Sequence, residues 1–281
     1  MTSDAPPACY RHSDRPTRIA CSDCGRPICP DCTLDAAVGQ KCPECASPGN
    51  RTRVITARDT WRVGLSTAPV TITIIALNVI IYLVGQGSAE SNRWFIENLA
   101  LVKLIAPDEW WRTITAAFLH GSLLHLGVNM YILYLLGPQM ERQTGPVTFG
   151  ALYMAAAATG GAVSVLTGPS LSGGSIVVSI GASGAIFGLM GAWFSASYRH
   201  RHTPAGAAMF NQMLLWLGIS AVFPFIVGNI DWRAHVGGLA AGIAIHQLWN
   251  RIDPQRANGR ALRTLIAAAV AVLSLAAVAF L

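Results

Sequence analysis

GASGAIFGLMGA, residues 181–192, and AHVGGLAAG, residues 234–242, are the two stretches whose reading decides the fold. Each sets one reactive side chain, Ser183 or His235, at the start of an apolar run with glycines four apart: Gly184 and Gly188 in the first, Gly238 and Gly242 in the second. Residues four apart share one face of a helix, and small residues at that spacing let two helix backbones approach closely inside a membrane. Taken alone, Ser183 reads as a packing residue. Set against a second small-residue face that carries His235, it reads as half of a contact between two helices.

A third stretch, FLHGSLLHLGVNMYILYLLG at 118–137, puts His120, His125 and Asn129 into an otherwise apolar span. Such groups are costly in lipid and face a bundle interior or a water-filled cavity. The bland reading is interhelical hydrogen bonding that acts as glue, which suits one polar residue better than several together with a serine and a further histidine. Depth sharpens the point. Counted back from the helix ends near Tyr198 and Trp249, Ser183 and His235 both lie about 21–23 Å along, with His125 at about 24 Å and Asn129 at about 18 Å. The four groups form one layer. That layer suits acyl transfer, with Ser183 attacking a carbonyl and His235 taking and returning the proton. No carboxylate falls within these helix faces, so a dyad is expected, with His125, Asn129 and the Ser183 backbone N–H as oxyanion donors.

Of 281 residues, 52% are hydrophobic and 12% charged, about half the charged share of a soluble domain. Seven apolar helices are expected near 69–85, 115–137, 147–167, 183–198, 207–228, 235–249 and 261–281. Arginines gather in the 46–68 segment, at Arg142, at Arg199 and Arg201, and at Arg251, Arg256, Arg260 and Arg263, on alternate sides of successive spans. The positive-inside rule then places the N-terminus in the cytosol and the C-terminus outside, and a multi-pass protein of the plasma membrane is expected. The first residues, MTSDAPPACYRHSDRP, have no secretory signal pattern. The net charge of +6 thus reflects membrane orientation and no nucleic-acid partner.

All seven cysteines precede residue 46, as Cys9-x-x-His12, Cys21-x-x-Cys24, Cys29-x-x-Cys32 and Cys42-x-x-Cys45. Four such knuckles fill two tetrahedral zinc sites. An odd cysteine number in a reducing compartment argues against disulfides. Close spacing favours interleaved pairing, with Cys9, His12, Cys29 and Cys32 around one Zn2+ and Cys21, Cys24, Cys42 and Cys45 around the other. A segment this short buries too little apolar surface to fold alone, so the metal supplies most of its folding free energy. Three domains are expected: a zinc-binding head at 1–47, a basic linker at 48–68 and a transmembrane unit at 69–281. Few Lys and Arg, and Tyr10 as the lone aromatic, argue against single-strand nucleic-acid binding by the head. A metal on the cytosolic side, far from Ser183, cannot act as a Lewis acid on the scissile carbonyl, so the head should be dispensable for the chemical step.

Two resemblances follow from these residues. The phrase CSDCGRPICPDC at 21–32 resembles B-box-like zinc fingers, which implies a regulatory or protein-binding module of unnamed partner. The segment from about Pro69 to Trp249 resembles rhomboid proteases. It carries Trp111-Arg112, His120-x4-His125-x3-Asn129, Glu141-Arg142-x2-Gly145, Gly181-Ala182-Ser183-Gly184 and Ala234-His235-x2-Gly238-x3-Gly242. This resemblance implies an all-α polytopic membrane protein, a rhomboid-like bundle of six core transmembrane helices, to which the seventh helix and the zinc-stabilised head are additions. It further implies Ser183 as nucleophile, His235 as base, Asn129 and His125 as oxyanion donors, and Trp111, Arg112, Glu141 and Arg142 as structural. The implied substrate is a single-pass transmembrane protein cut near its extracytoplasmic end. Phe187 stands where some relatives carry tyrosine and is expected to pack beneath His235.

Three other readings compete. A catalytically inactive relative serving membrane-protein binding or quality control would lack Ser183 or His235. A transporter would show repeat halves or a coupled acid within the spans, and an intramembrane metalloprotease a His-Glu-x-x-His sequence. None of these signs is present. The orientation is open to test: a reporter fused after Leu281 should report from outside the cytosol and one fused before Cys9 from within, and a cytosolic C-terminal reporter would mean that the spans are miscounted.

Overall fold

The computed structural model divides the chain into two compact units, Met1–Thr60 and Trp61–Leu281. Its described residues are 5–35, 39–46, 67–169, 171–172, 175–227, 230–252 and 257–281. The basic linker expected at 48–68 therefore lies, as far as residue 66, outside the described residues.

The first unit has a two-stranded hairpin, β1 (Leu34–Asp35) against β2 (Gln40–Lys41), with Leu34 opposite Lys41. Its interior is made of Cys9, Cys21, Cys29, Cys32, Cys42 and one aliphatic side chain, Ile28. Six side chains of that kind are far too little apolar area to offset the entropy of ordering the chain.

In the second unit the helices are α1 (Pro69–Gln86), α2 (Ala89–Leu99), α3 (Arg112–Thr115), α4 (Leu123–Thr144), α5 (Pro146–Thr167), α6 (Ser183–Arg199), α7 (Pro204–Val227), α8 (Trp232–Trp249) and α9 (Gly259–Ala279). Among the described residues three helices, α1, α5 and α9, are long and apolar enough to cross a membrane unaided, and a fourth crossing is added if α3 and α4 form one bent span. Helix α6, with 17 residues, measures about 25 Å and falls short of a hydrocarbon core of about 30 Å.

The seven expected helices correspond to α1 and α4 to α9, with two differences. The second was expected to run unbroken from 115. It instead begins at Leu123, after a 97° bend, because the Ser122 hydroxyl accepts the His125 N–H at 3.1 Å and caps a new helix there. His120 accordingly lies ahead of α4 and not on it. The segment after α1, read as loop, contains α2 and the short strand β3 (Leu101–Val102), which pairs antiparallel with β6 (Val178–Ser179) through Leu101 and Ser179. A small hairpin, β4 (Leu171–Ser172) with β5 (Ser175–Ile176), precedes β6.

Helix α5 is the hub. Its apolar window is 61% buried, against 22% for α1 and 11% for α9. Helix α9 lies on its outer side, held by Thr148–Thr264 and Thr159–Ser274 hydroxyl pairs at 2.8 and 2.9 Å, hydrogen bonds of the kind that join helices in lipid. Gly145, at φ 90°, closes α4, and Pro146 opens α5 at its first position, so the chain reverses in one residue. Glu141, 1% exposed, reaches across from α4 to accept the N–H of Val70 at 2.9 Å, and from Thr71 both the N–H at 2.8 Å and the hydroxyl at 2.7 Å. Helix α1 has no cap of its own, so this carboxylate satisfies donors that would otherwise be left open at a helix start, where negative charge is also favoured.

The closest packing joins α6 to α8. A Cβ added to Gly238 would sit 1.9 Å from the Gly184 carbonyl oxygen, and one on Gly242 would sit 1.8 Å from that of Gly188. Only glycine permits this approach. Gly238→Ala should therefore force the two backbones apart and cost about 1–3 kcal/mol or more, seen as a lowered thermal midpoint in detergent. Gly218→Ala on α7, where a Cβ meets nothing within 4 Å, should leave the midpoint unchanged or slightly raised; equal midpoints for the wild type and Gly238→Ala would contradict this packing.

Candidate active site

Ser183 is the first residue of α6, and its N-cap, Ala182, offers no side-chain cap. The Ser183 N–H is thus one of the open donors of a helix start. His235 stands one turn into α8. Its Nε2 lies 2.7 Å from Ser183 Oγ across 52 residues of chain, within hydrogen-bond distance. The Phe187 ring, one turn along α6 from Ser183, stacks on the imidazole with centroids 4.2 Å apart and planes 8° from parallel. The histidine plane is fixed by this ring. Among the described residues no carboxylate hydrogen-bonds His235.

His125 closes the other side. Gly181 has φ +126°, and the place its Cβ would occupy lies 2.8 Å from His125 Nε2 and 3.7 Å from Ser183 Oγ. Only glycine lets the His125 ring come this close, and its backbone angle is one that glycine tolerates. Gly181 is itself held by its N–H to the Ala116 carbonyl at 2.9 Å. In the sequence it stood in a small-residue stretch and in the Gly181-Ala182-Ser183-Gly184 motif, with no role of its own.

Asn129 is 5% exposed and its Nδ2 donates to the His125 carbonyl at 3.0 Å, not to Ser183 or His235. The second N–H of that amide is left for another acceptor. His120, 7% exposed, packs edge-on to His125 with ring centroids 4.9 Å apart, and neither of its ring nitrogens has a hydrogen-bond partner among the described residues. Trp111 is exposed. Buried Arg112 donates to the Ala100 carbonyl at 3.1 Å and pairs with Glu109. Asp231, just ahead of α8, was passed over as a loop residue, although a carboxylate directly before a helix is itself a start signal. Its Oδ2 accepts the Ser179 hydroxyl at 2.6 Å.

In the N-terminal unit the ligand atoms fall into two groups, Cys9, His12, Cys29 and Cys32, and Cys21, Cys24, Cys42 and Cys45, the atoms of each lying within 4.8 Å of one another. This is the interleaved grouping. Zinc with Zn–S arms of about 2.3 Å gives a tetrahedron with S···S edges of about 3.8 Å, and about 3.5 Å to a histidine nitrogen. Cys24 and Cys42 sulfurs are 3.8 Å apart, and His12 Nδ1 lies 3.4 Å from Cys29, 3.4 Å from Cys32 and 3.9 Å from Cys9. Charge points the same way. Backbone N–H groups of Cys42 and Cys24 hold the Cys21 thiol down at about 6, while the neighbouring Cys42 sulfur, with burial, pushes Cys45 up to about 12. Four such thiols ionise together only around a cation, and the residues fit Zn2+.

Residues 107–251 match the Rhomboid domain, and residues 4–36 match the B-box zinc finger, which stops short of Cys42 and Cys45. The chain is 33% identical to Rhomboid protease GluP of Bacillus subtilis over 171 residues, 60% of this chain and 32% of that protein. It is 31% identical to YdcA of the same species over 179 residues, 63% of this chain and 86% of that protein. RHOMBOID-like protein 5 of Arabidopsis thaliana is 37% identical over 143 residues, 50% of this chain and 44% of its own. The chain thus spans about a third of GluP and under half of RHOMBOID-like protein 5. It is a multi-pass integral membrane protein with a zinc-finger head, and, with more than half of its residues inside the Rhomboid-domain match, the chain belongs to the rhomboid family.

Proposed function

We propose that the chain is an intramembrane serine endopeptidase that cleaves single-pass transmembrane proteins by a Ser183–His235 dyad. One observation carries the reading: the 2.7 Å contact of Ser183 Oγ with His235 Nε2 between two helices that touch through glycines. With its proton on Nδ1, His235 accepts the hydroxyl proton at Nε2 as Ser183 Oγ bonds to the carbonyl carbon. The oxygen turns negative on the His125 side of Ser183, where His125, Asn129 and the Ser183 N–H supply donors. The tetrahedral intermediate collapses as His235 returns the proton to the leaving amine, and water repeats the sequence on the acyl-enzyme. An inactive relative is the second reading, and the presence and contact of both dyad residues weigh against it. The substrate meets the protein in the bilayer, the plasma membrane being the proposed site, and the orientation with a cytosolic N-terminus rests on the arginine pattern.

For the head we propose two structural Zn2+ ions and a protein partner or regulatory role. The ligands come from residues 9–45 and the dyad from residues 183 and 235, in separate units.

Two experiments test these readings. Incubated with a single-span reporter substrate, purified Ser183→Ala and His235→Ala should each lose cleavage while staying folded, because the pair acts as a unit, and His125→Ala or Asn129→Ala should slow it about a hundredfold. Appreciable turnover by Ser183→Ala would sink the assignment. Metal analysis should find two zinc ions per chain, and a chelator should unfold residues 9–45 yet leave cleavage of a minimal transmembrane substrate largely intact; substantially fewer ions, or loss of all cleavage from a still-folded protein lacking residues 1–50, would contradict the two-site, dispensable head.

A further inference from the structure

Asp231 Oδ2 gathers three groups from three separate segments. It accepts the hydroxyl of Ser164 near the end of α5 and that of Ser179 in β6 at 2.6 Å, and it faces Lys103 Nζ at 3.7 Å. Lys103 follows β3 directly, and β3 is the partner of β6. The lysine side chain is only 2% exposed, and Asp231 is its one carboxylate partner among the described residues. Space around it is tight, because a Cβ on Gly168 would sit 2.3 Å from Nζ. A buried ammonium beside a part-buried carboxylate is tolerable only when each satisfies the other and the remaining polar atoms are hydrogen-bonded, so a shift of one segment alone leaves a charge or a hydroxyl unmatched.

The position of this node matters as much as its chemistry. Ser179 lies four residues before Ser183, and Asp231 lies four residues before His235. The Ser179–Asp231 bond and the Ser183–His235 bond therefore span the same 52-residue separation. They are parallel rungs, one beneath the loop and one at the helix starts. The glycine contacts hold α6 and α8 together from below, but the hydroxyl and the imidazole sit at the first turns, where a helix end frays. Between Ser179 and Ser183 the chain also turns through Gly181 at φ +126°, the residue against which the His125 ring packs. Fixing Ser179 therefore fixes Gly181 and Ser183 together.

We propose that Asp231 is a positioning residue: through Ser179, and with Lys103 and Ser164 holding its carboxylate in place, it sets the register between the Ser183 and His235 segments. It makes no contact with the reacting atoms. The proposal rests on the dyad reading above. A misplacement of about 1 Å can slow a reaction about a hundredfold, and a node that sets register should act on kcat and leave KM nearly alone.

The test uses the full chain in detergent with the single-span reporter substrate, kcat being taken per folded molecule, and thermal midpoints recorded beside it. Ser179→Ala, which removes one hydroxyl, should lower kcat about tenfold or more with KM within twofold, and Asp231→Ala should lower it further. Adding Ser179→Ala to Asp231→Ala should cost nothing extra, since both break the same rung. Asp231→Asn combined with Lys103→Met keeps an oxygen for both serines while removing both charges, and should recover most of the lost kcat. An unchanged kcat per folded molecule in Ser179→Ala, whatever its midpoint, would overturn the proposal, as would a change confined to KM; Ser179→Ala decides the matter even if Asp231→Ala fails to fold. Cleavage that survives Ser183→Ala would sink the dyad itself, whereas cleavage abolished by Ser183→Ala and untouched by Ser179→Ala would sink the positioning role alone.

Discussion

Everything near the dyad depends on the distance between the backbones of α6 and α8. Gly184, Gly188, Gly238 and Gly242 bring carbonyl oxygens of one helix within 2 Å of where a side chain on the other would begin. In lipid there is no hydrophobic gain in pressing two apolar helices together, so association rests on close van der Waals contact and hydrogen bonds. Glycine at the seam supplies the first and the polar end of the seam supplies the second. Once the backbones are this close, a serine and a histidine at the head of each helix fall within hydrogen-bond reach. With larger side chains at the seam they would not.

The remaining parts each hold one end of that seam. Helix α5 backs both helices, with the Ala234 carbonyl only 2.7 Å from where a Cβ on Gly160 would lie. Phe187 lies flat against His235 and does by contact what an orienting carboxylate does elsewhere by hydrogen bonding. At the far end of α4, Glu141 ties that helix to the start of α1 through three hydrogen bonds. Buried charges are rare in this unit, and each marks a place where separate segments must be kept in register. Zinc does the corresponding work in the head, where cysteine sulfurs stand in for an aliphatic core.

Much of this was legible in the sequence because two simple periods carry it. Glycines four apart named the α6–α8 seam, and Cys-x-x-Cys and Cys-x-x-His spacing named the two groups that the structure gathers, so the Ser183–His235 contact and the eight clustered Cys and His residues could be singled out without coordinates. What could not be read is non-local. The bend before α4 is hidden because LHGSLLHL reads as the continuation of one long span, and only the Ser122 cap reveals it. Helix α2 was read as loop because AESNRWFIENL is too polar for a span. Asp231 drew no notice because its partners, at 103, 164 and 179, are scattered along the chain. The role of Gly181 depends on a backbone angle and on a histidine 56 residues away.

The most direct measurement of the central claim is the mass of the intact protein after exposure to a serine-directed fluorophosphonate. An activated Ser183 should take up one label per chain, located to the peptide that contains it, and His235→Ala should take up almost none while remaining folded. A preparation that cleaves substrate yet stays unlabelled, or that carries the label on another residue, would contradict the account.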